Sequence, residues 1–276
     1  MALATSLARR SGSTVLRVPE LVEVEIYRRQ ADAMVGRTVA GVDAQDLWFL
    51  KGATTPSGLD TSLVGRTVTA TDRRGKLLLL DLDGASLGLR FGMTGRLVVD
   101  GGAAIEELLY STTRHDEAYE RFRLDFADGG SMVMVDPRRL GGVELEPDVS
   151  RLGPDAASIT KRQLATALAG STVALKARLL DQARVAGIGN LIADETLWRA
   201  GVDPTRESRS LSDAEVGALA RRVRSTIAML LRRGGSHTGD LQDERRRDGR
   251  CPRDGHPLAR ETVGGRTTYW CPHHQH

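Results

Sequence analysis

Pro19-Glu20-Leu21-Val22-Glu23-Val24-Glu25 is the stretch on which the reading of this chain turns. Proline suits the first turn of a helix, where its missing N–H costs nothing, and the three acids lie where the positive end of a helix dipole favours them. Downstream, Leu21, Val24, Tyr27, Ala31 and Met34 recur every three or four residues and Gly36 follows as a stop, which predicts a helix over 19–35 with one buried face. The same stretch carries a chemical possibility. A proline nitrogen is a tertiary amide inside a chain, but a secondary amine when it is the amino terminus. With an α-amino pKa of about 7.7–8.0, such an amine is partly unprotonated near neutrality and can attack a sugar carbon to form an iminium.

Eighteen residues precede that proline, MALATSLARRSGSTVLRV, with three arginines and no acid. They lack the long apolar core of a secretory signal, while their Arg- and Ser-rich, acid-poor composition is open to a transit peptide. The favoured expectation is a start placed too far upstream. Only four lysines (Lys51, Lys76, Lys161, Lys176) stand against 35 arginines, a GC-rich bias under which GTG starts are common, and Val18 occupies the initiator's place. Residues 1–18 are therefore set aside as an extension. Without Arg9, Arg10 and Arg17 the net charge of +3 falls to zero, so basicity is no argument for a nucleic-acid partner; any such affinity needs cations clustered on one face. No apolar run has the length of a membrane span. Two cysteines, Cys251 and Cys271, exclude a disulfide framework.

From residue 66 to about 145 the period changes. Short apolar runs at 76–82, 87–91, 96–99, 122–126 and 132–135, separated by Gly and Asp turns, predict an antiparallel sandwich. After Gly153-Pro154 the chain reads as helical at 161–168, 176–181, 190–199 and 212–233, the last opening on the capping box Ser212-x-x-Glu215. The expected class is α+β: an N-terminal helix on an antiparallel β-sandwich (19–147), a helical domain (148–240) and a small hairpin (247–276).

The tail reads Cys251-Pro-Arg-Asp254, sixteen residues, then Cys271-Pro-His-His274. That spacing fits a ribbon in which each short loop gives two ligands to one tetrahedral Zn2+, with Cys251, Asp254, Cys271 and His274 as ligands; His256 or His273 could substitute, and a metal-free hairpin is the alternative. Gly187-Ile188-Gly189-Asn190 is a tight turn whose following helix offers amides to a phosphate. Lys76, opening an apolar run after Arg73-Arg74-Gly75, is on pattern alone a snorkelling lysine at a sheet edge.

Taken together, Pro19–Glu25, Lys76, Phe91-Gly92-Met93-Thr94-Gly95, Asp136-Pro137-Arg138-Arg139-Leu140-Gly141, Leu180–Glu195 and the tail resemble, in order, the formamidopyrimidine-DNA glycosylase/endonuclease VIII family of DNA-repair enzymes. The resemblance runs from Pro19 to Gln275. It implies a helix–two-turn–helix element in the helical domain, a zinc ribbon at the end, and a base-excision glycosylase with abasic-site lyase activity. Pro19 would attack the deoxyribose and Glu20 would serve as acid and base. Lys76 would contact phosphate and aid proton transfer, and Arg266 would hold the phosphate beside the lesion, a task suited to a forked cation. Lys176 and Asn190 would hold the DNA backbone. Met93 and Leu140 would fill the gap left by an extruded base, with Arg138 reading its orphaned partner. The implied partner is double-stranded DNA with damaged bases or abasic sites, bound by a monomer in the bacterial cytoplasm, at the nucleoid while it acts. Zinc is the only cofactor implied.

The sequence departs from the family's pattern at several points. Val22 stands where a second proline is common, and Leu140 where phenylalanine is frequent. Asp254 and His274 stand where cysteines are usual. Only fifteen residues separate Gly235 from Cys251, where members directed at 8-oxoguanine carry a longer covering loop. The family's histidine-rich segment appears as Tyr119-Glu120-Arg121, with His115-Asp116 nearby. Val22, the short segment before Cys251 and the changed histidine-rich segment together imply an altered lesion choice, toward oxidised pyrimidines or abasic sites, and Leu140 an altered opposite-base preference. The competing expectation is a non-catalytic damaged-DNA-binding paralogue whose Pro19 is blocked by the extension; a zinc-ribbon nucleic-acid protein with an unrelated sandwich leaves Pro19-Glu20 unexplained.

Overall fold

The computed structural model describes residues 18–105 and 117–276. The extension up to residue 17 and the pair His115-Asp116 lie outside them.

Helix α1 spans Leu21–Ala31 and continues as a 3-10 turn over Asp32–Met34. The predicted helix therefore starts two residues late, because Glu20 is the N-cap: its backbone is extended, and Glu20 and Glu23 cap each other's amides reciprocally. Next come β1 (Val39–Asp43), α2 (Pro56–Leu63), β2 (Val68–Arg74), β3 (Leu77–Leu82), β4 (Ala85–Arg90) and β5 (Arg96–Val99). β6 (Glu120–Phe126), β7 (Ser131–Val135) and β8 (Gly142–Leu145) complete two antiparallel four-stranded sheets, ordered β1-β6-β7-β5 and β2-β3-β4-β8. The sandwich read from the sequence is present. β1 and α2 were not anticipated: Val39–Asp43 has a single fully buried apolar residue, and α2 is announced only by Thr55, whose hydroxyl caps it, and Pro56.

The helical part holds α3 (Lys161–Leu168), α4 (Leu175–Leu180), α5 (Asn190–Ala200) and α6 (Asp213–Arg233), with the expected Ser212/Glu215 capping box and Gly234 in the left-handed conformation as its stop. β9 (Ala259–Val263) and β10 (Arg266–Trp270) form the terminal hairpin.

Two large apolar clusters organise the chain, one inside the sandwich and one among the helices. α1 belongs to both. Val24, Tyr27, Ala31 and Met34 pack in the sandwich, whereas Leu21 and Val22 pack among the helices. α1 is thus not a lid on the sandwich alone but the rod joining the two halves. Val22 is fully buried there, which accounts for an apolar residue at that position. A third cluster, Trp198, Leu241, Cys251 and Cys271, seats the hairpin on α5.

Candidate functional site

The junction between the halves is where the chemistry-bearing residues meet. Pro19 is buried, its nitrogen acylated by Val18. Beside it the Glu20 carboxylate, only 2% exposed, accepts hydrogen bonds from the amides of Gly189 (3.1 Å), Leu191 (2.8 Å) and Ile192 (3.1 Å). These are the first amides of α5, so the carboxylate sits at the positive end of that helix's dipole. A Cβ on Gly189 would lie 2.2 Å from Glu20 Cδ, so any larger residue there forces that side chain to move. The amides expected to await a phosphate are therefore taken by an internal carboxylate. A contact 169 residues away in sequence could not be foreseen from the turn itself.

Behind Glu20 lies Glu23, which the sequence reading left without a role. It is 1% exposed, accepts the Glu20 amide (3.0 Å), and receives both the amide and the hydroxyl of Ser236 at 2.7 Å. Burial, then the neighbouring Glu20 charge, pushes its carboxyl up to about 7. Its signal was the three-residue spacing from Glu20, which places both acids at one helix end.

Lys76, half-buried, follows the turn Gly75, where an added Cβ would meet Ala186 at 2.8 Å. That turn is fastened to the helical half by Asp155, which accepts the Gly75 amide (2.7 Å) and pairs with Arg73 (2.7 Å); Arg73 also pairs with Glu25 (3.1 Å). Burial pulls the Lys76 ammonium below the usual lysine range; the Glu20 charge opposes this and the nearby Arg266 guanidinium adds to it. Arg266 itself is exposed at the start of β10. Asn190, half-buried, donates to the Thr267 carbonyl (3.2 Å), so it sits beside Arg266. Lys76, Glu20, Asn190 and Arg266 are thus brought into one neighbourhood.

Lys176 borders this neighbourhood, its ammonium donating to the same Thr267 carbonyl at 3.3 Å, but it is sealed from solvent. It is 0% exposed, pairs with Asp194 at 2.7 Å and donates to Thr268 Oγ1 at 2.7 Å. Asp194 in turn pairs with Arg245 (2.8 Å). The expected backbone contact is corrected to an internal ion pair joining α4, α5 and the hairpin; a fully covered ammonium cannot reach a phosphate.

The Met93 and Leu140 segments do come together. A Cβ on Gly92 would sit 2.5 Å from the Leu140 carbonyl carbon, so their backbones touch. Buried Asp136 organises the pair, bonding the Thr94 hydroxyl and accepting the amides of Arg138 (3.2 Å) and Gly141 (2.7 Å). Leu140 is 48% exposed, Arg138 is exposed and Met93 is half-buried. An apolar wedge and a guanidinium therefore project from a braced loop.

In the hairpin, one ligand atom each from Cys251, Asp254, Cys271 and His274 lie within 4.8 Å of one another. The pairs Cys251 Sγ–His274 Nδ1 (3.5 Å), Cys271 Sγ–Asp254 Oδ2 (3.4 Å) and His274 Nδ1–Asp254 Oδ2 (3.2 Å) match the roughly 3.2–3.8 Å edges of a tetrahedron around a zinc-sized ion. His274 Nε2 lies 3.2 Å from the Trp198 carbonyl, which fixes the tautomer that aims the Nδ1 lone pair at the centre. His256 and His273 stack on each other outside this set. The donor set suits a metal ion.

The chain matches the sequence pattern of the formamidopyrimidine-DNA glycosylase N-terminal domain over residues 18–143 and that of the formamidopyrimidine-DNA glycosylase H2TH domain over 152–241. It is 34% identical to a formamidopyrimidine-DNA glycosylase of Roseiflexus sp., with 92% of this chain and 98% of that protein covered. The corresponding protein of Dinoroseobacter shibae is 31% identical, at 92% and 99% coverage. Among solved structures, it resembles the wild-type Lactococcus lactis Fpg in complex with an N7-benzyl-Fapy-dG-containing DNA (26% identity, TM-score 0.78, 93% of this chain and 99% of that one). It also resembles the complex of Lactococcus lactis Fpg with abasic-site-containing DNA (25%, TM-score 0.77, 93% and 99%).

Proposed function

The chain belongs to the formamidopyrimidine-DNA glycosylase family of DNA-repair enzymes, and on that premise we propose how this glycosylase works. Its active form begins at Pro19, and the free amine attacks C1′ of the damaged nucleoside as the base departs with the glycosidic electron pair. The Glu20 carboxylate takes the proton that the Pro19 nitrogen loses on bonding C1′ and passes it to the ring oxygen as the C1′–O4′ bond opens, leaving an iminium between Pro19 and C1′. The iminium acidifies C2′; loss of a C2′ proton expels the 3′-phosphate, a β-elimination, and water then releases the amine. Lys76 and Arg266 hold the phosphates flanking the lesion, assisted by Asn190, while Met93, Leu140 and Arg138 occupy the gap. Cys251, Asp254, Cys271 and His274 would hold one Zn2+, which would supply a structural cross-link to the hairpin bearing Arg266. With so short a segment between Gly235 and Cys251, the substrates are oxidised pyrimidines or abasic sites in duplex DNA, and the enzyme works as a monomer at the bacterial nucleoid.

The observation that carries this reading is the Glu20 carboxylate, pinned by three amides next to Pro19 and sharing its field with Lys76 and Arg266. Borohydride trapping on abasic-site duplex tests it. Protein beginning at Pro19 should give a covalent adduct and the 276-residue chain should not; absence of an adduct from the shorter protein overturns the mechanism. The Val18–Pro19 amide favours a second reading, a damaged-DNA-binding paralogue without chemistry. Mass spectrometry of the amino terminus of the cellular protein separates the two.

A further inference from the structure

We propose that the corner formed by Leu47 and Trp48 is an additional contact with duplex DNA, in which Trp48 packs against the undamaged strand beside the gap filled from Arg138 and Leu140. This rests on the reading of the chain as a glycosylase of damaged duplex DNA.

Trp48 is 69% exposed and its neighbour Leu47 is 67% exposed, more than any other large apolar residue among those described. Two adjacent, largely bare apolar side chains, one of them tryptophan, form a patch rather than scattered surface. The corner is nevertheless rigid. It is a 3-10 turn, Leu47–Phe49, whose third residue, Phe49, is fully buried in the sandwich core. Immediately beyond it the Lys51 amide donates to the Val143 carbonyl at 2.8 Å and Leu50 forms a bridge with Val143. A Cβ on Gly141 would lie 3.2 Å from the Phe49 ring.

These contacts fasten the corner to the segment that carries Arg138 and Leu140. A further tie is ionic: Asp46 bonds the Arg139 guanidinium and lies 3.8 Å from Arg121. Presenting Trp48 thus costs no mobile loop, and any ligand reached by Leu140 runs past the same rim. The chemistry of the corner fits a polynucleotide. Lys51 Nζ donates to the Trp48 carbonyl at 2.7 Å and lies 5.7 Å from the indole centroid, which places a cation for a phosphate beside a flat apolar face for a sugar or an unstacked base. The undamaged strand is the one addressed, because the residues that meet the reacting sugar, Glu20 and Lys76, lie at the junction with the helical half. The corner packs instead on Gly141 and Gly142, next to Leu140 and Arg138, the side chains proposed to fill the gap and read the orphaned base.

The test uses protein beginning at Pro19 and its Trp48→Ala and Trp48→Phe variants. Fluorescence polarisation reads affinity for a duplex holding a tetrahydrofuran abasic analogue, and borohydride trapping is run on a single-stranded abasic oligonucleotide. Trp48→Ala should weaken duplex binding roughly tenfold or more, Trp48→Phe should keep most of the affinity, and single-strand trapping should be unchanged in both. Of the three tryptophans, Trp198 is 6% exposed and Trp270 half-buried, so duplex should quench a solvent-exposed emission in the parent that Trp48→Phe lacks. Equal duplex affinities for parent and Trp48→Ala, or the same quenching in Trp48→Phe, overturn the proposal. So does a dimer that Trp48→Ala disperses on a sizing column without loss of duplex affinity, since the patch would then serve a second copy. Failure of the parent to trap any abasic DNA condemns the lyase mechanism and leaves the binding comparison to decide this one.

Discussion

Glu23 shows how much a single buried acid can govern. Its carboxyl, raised from 4.5 to about 7, keeps its proton in the folded chain at pH values where the unfolded chain has lost it. Stability contributed by the protonated form is therefore complete below pH 4.5, declines as the pH rises toward 7, and is level above that, a loss on the order of 3 kcal/mol. The free energy of unfolding of the parent minus that of Glu23→Gln, measured by urea titration across this window, should fall with pH. A difference independent of pH would mean that Glu23 ionises like an ordinary surface acid. The neighbouring case of Lys176 marks the limit of reading residues one at a time. Two lysines among four fell in motifs and looked alike in the sequence, yet Lys76 lies in the junction and Lys176 is sealed against Asp194. Residue type reports charge; only packing reports whether water or a ligand can reach it.

At the scale of elements, α6 was legible from end to end because its capping box, apolar stripe and glycine stop agree, whereas β1 offers one buried side chain and no punctuation. The sandwich was recognisable from its alternating runs, but not how its two sheets are ordered, since pairing is a long-range property. The same holds for the meeting of α1 with α5. Both helices were foreseen, yet the acceptor at one end finding the amides at the other required the chain to close over them. That meeting leaves no room for a methyl group at Gly189. Gly189→Ala should displace the Glu20 carboxylate by an ångström or so and lower kcat by about a hundredfold. KM should stay within a few-fold, because Lys76 and Arg266 remain in place; steady-state cleavage of an abasic duplex gives both values. Unaltered kcat would show that this carboxylate tolerates relocation.

Across the whole molecule, the hairpin depends on two supports of different kind: the cluster of Trp198, Leu241 and the two cysteines, and the four candidate ligands. Burial, with Cys251 and Asp254 alongside, pushes the Cys271 thiol up to about 11, a condition that a bound cation reverses by favouring the thiolate. Metal analysis should find one zinc per chain. A strong chelator should remove it, lower duplex affinity at least tenfold through loss of a fixed Arg266, and leave the main unfolding transition, set by the two larger clusters, within a few degrees. Unchanged affinity after complete metal removal would separate the ion from DNA binding. α1 ties the remaining architecture together, since Leu21 and Val22 lodge in one apolar interior and Val24, Tyr27 and Ala31 in the other. Eleven residues act as a common axle, so any flexing of the halves to wrap a substrate is transmitted straight to the position of Pro19. Such an arrangement makes the reactive end a gauge of how well the two halves have closed, and an ill-fitting duplex would leave it out of line.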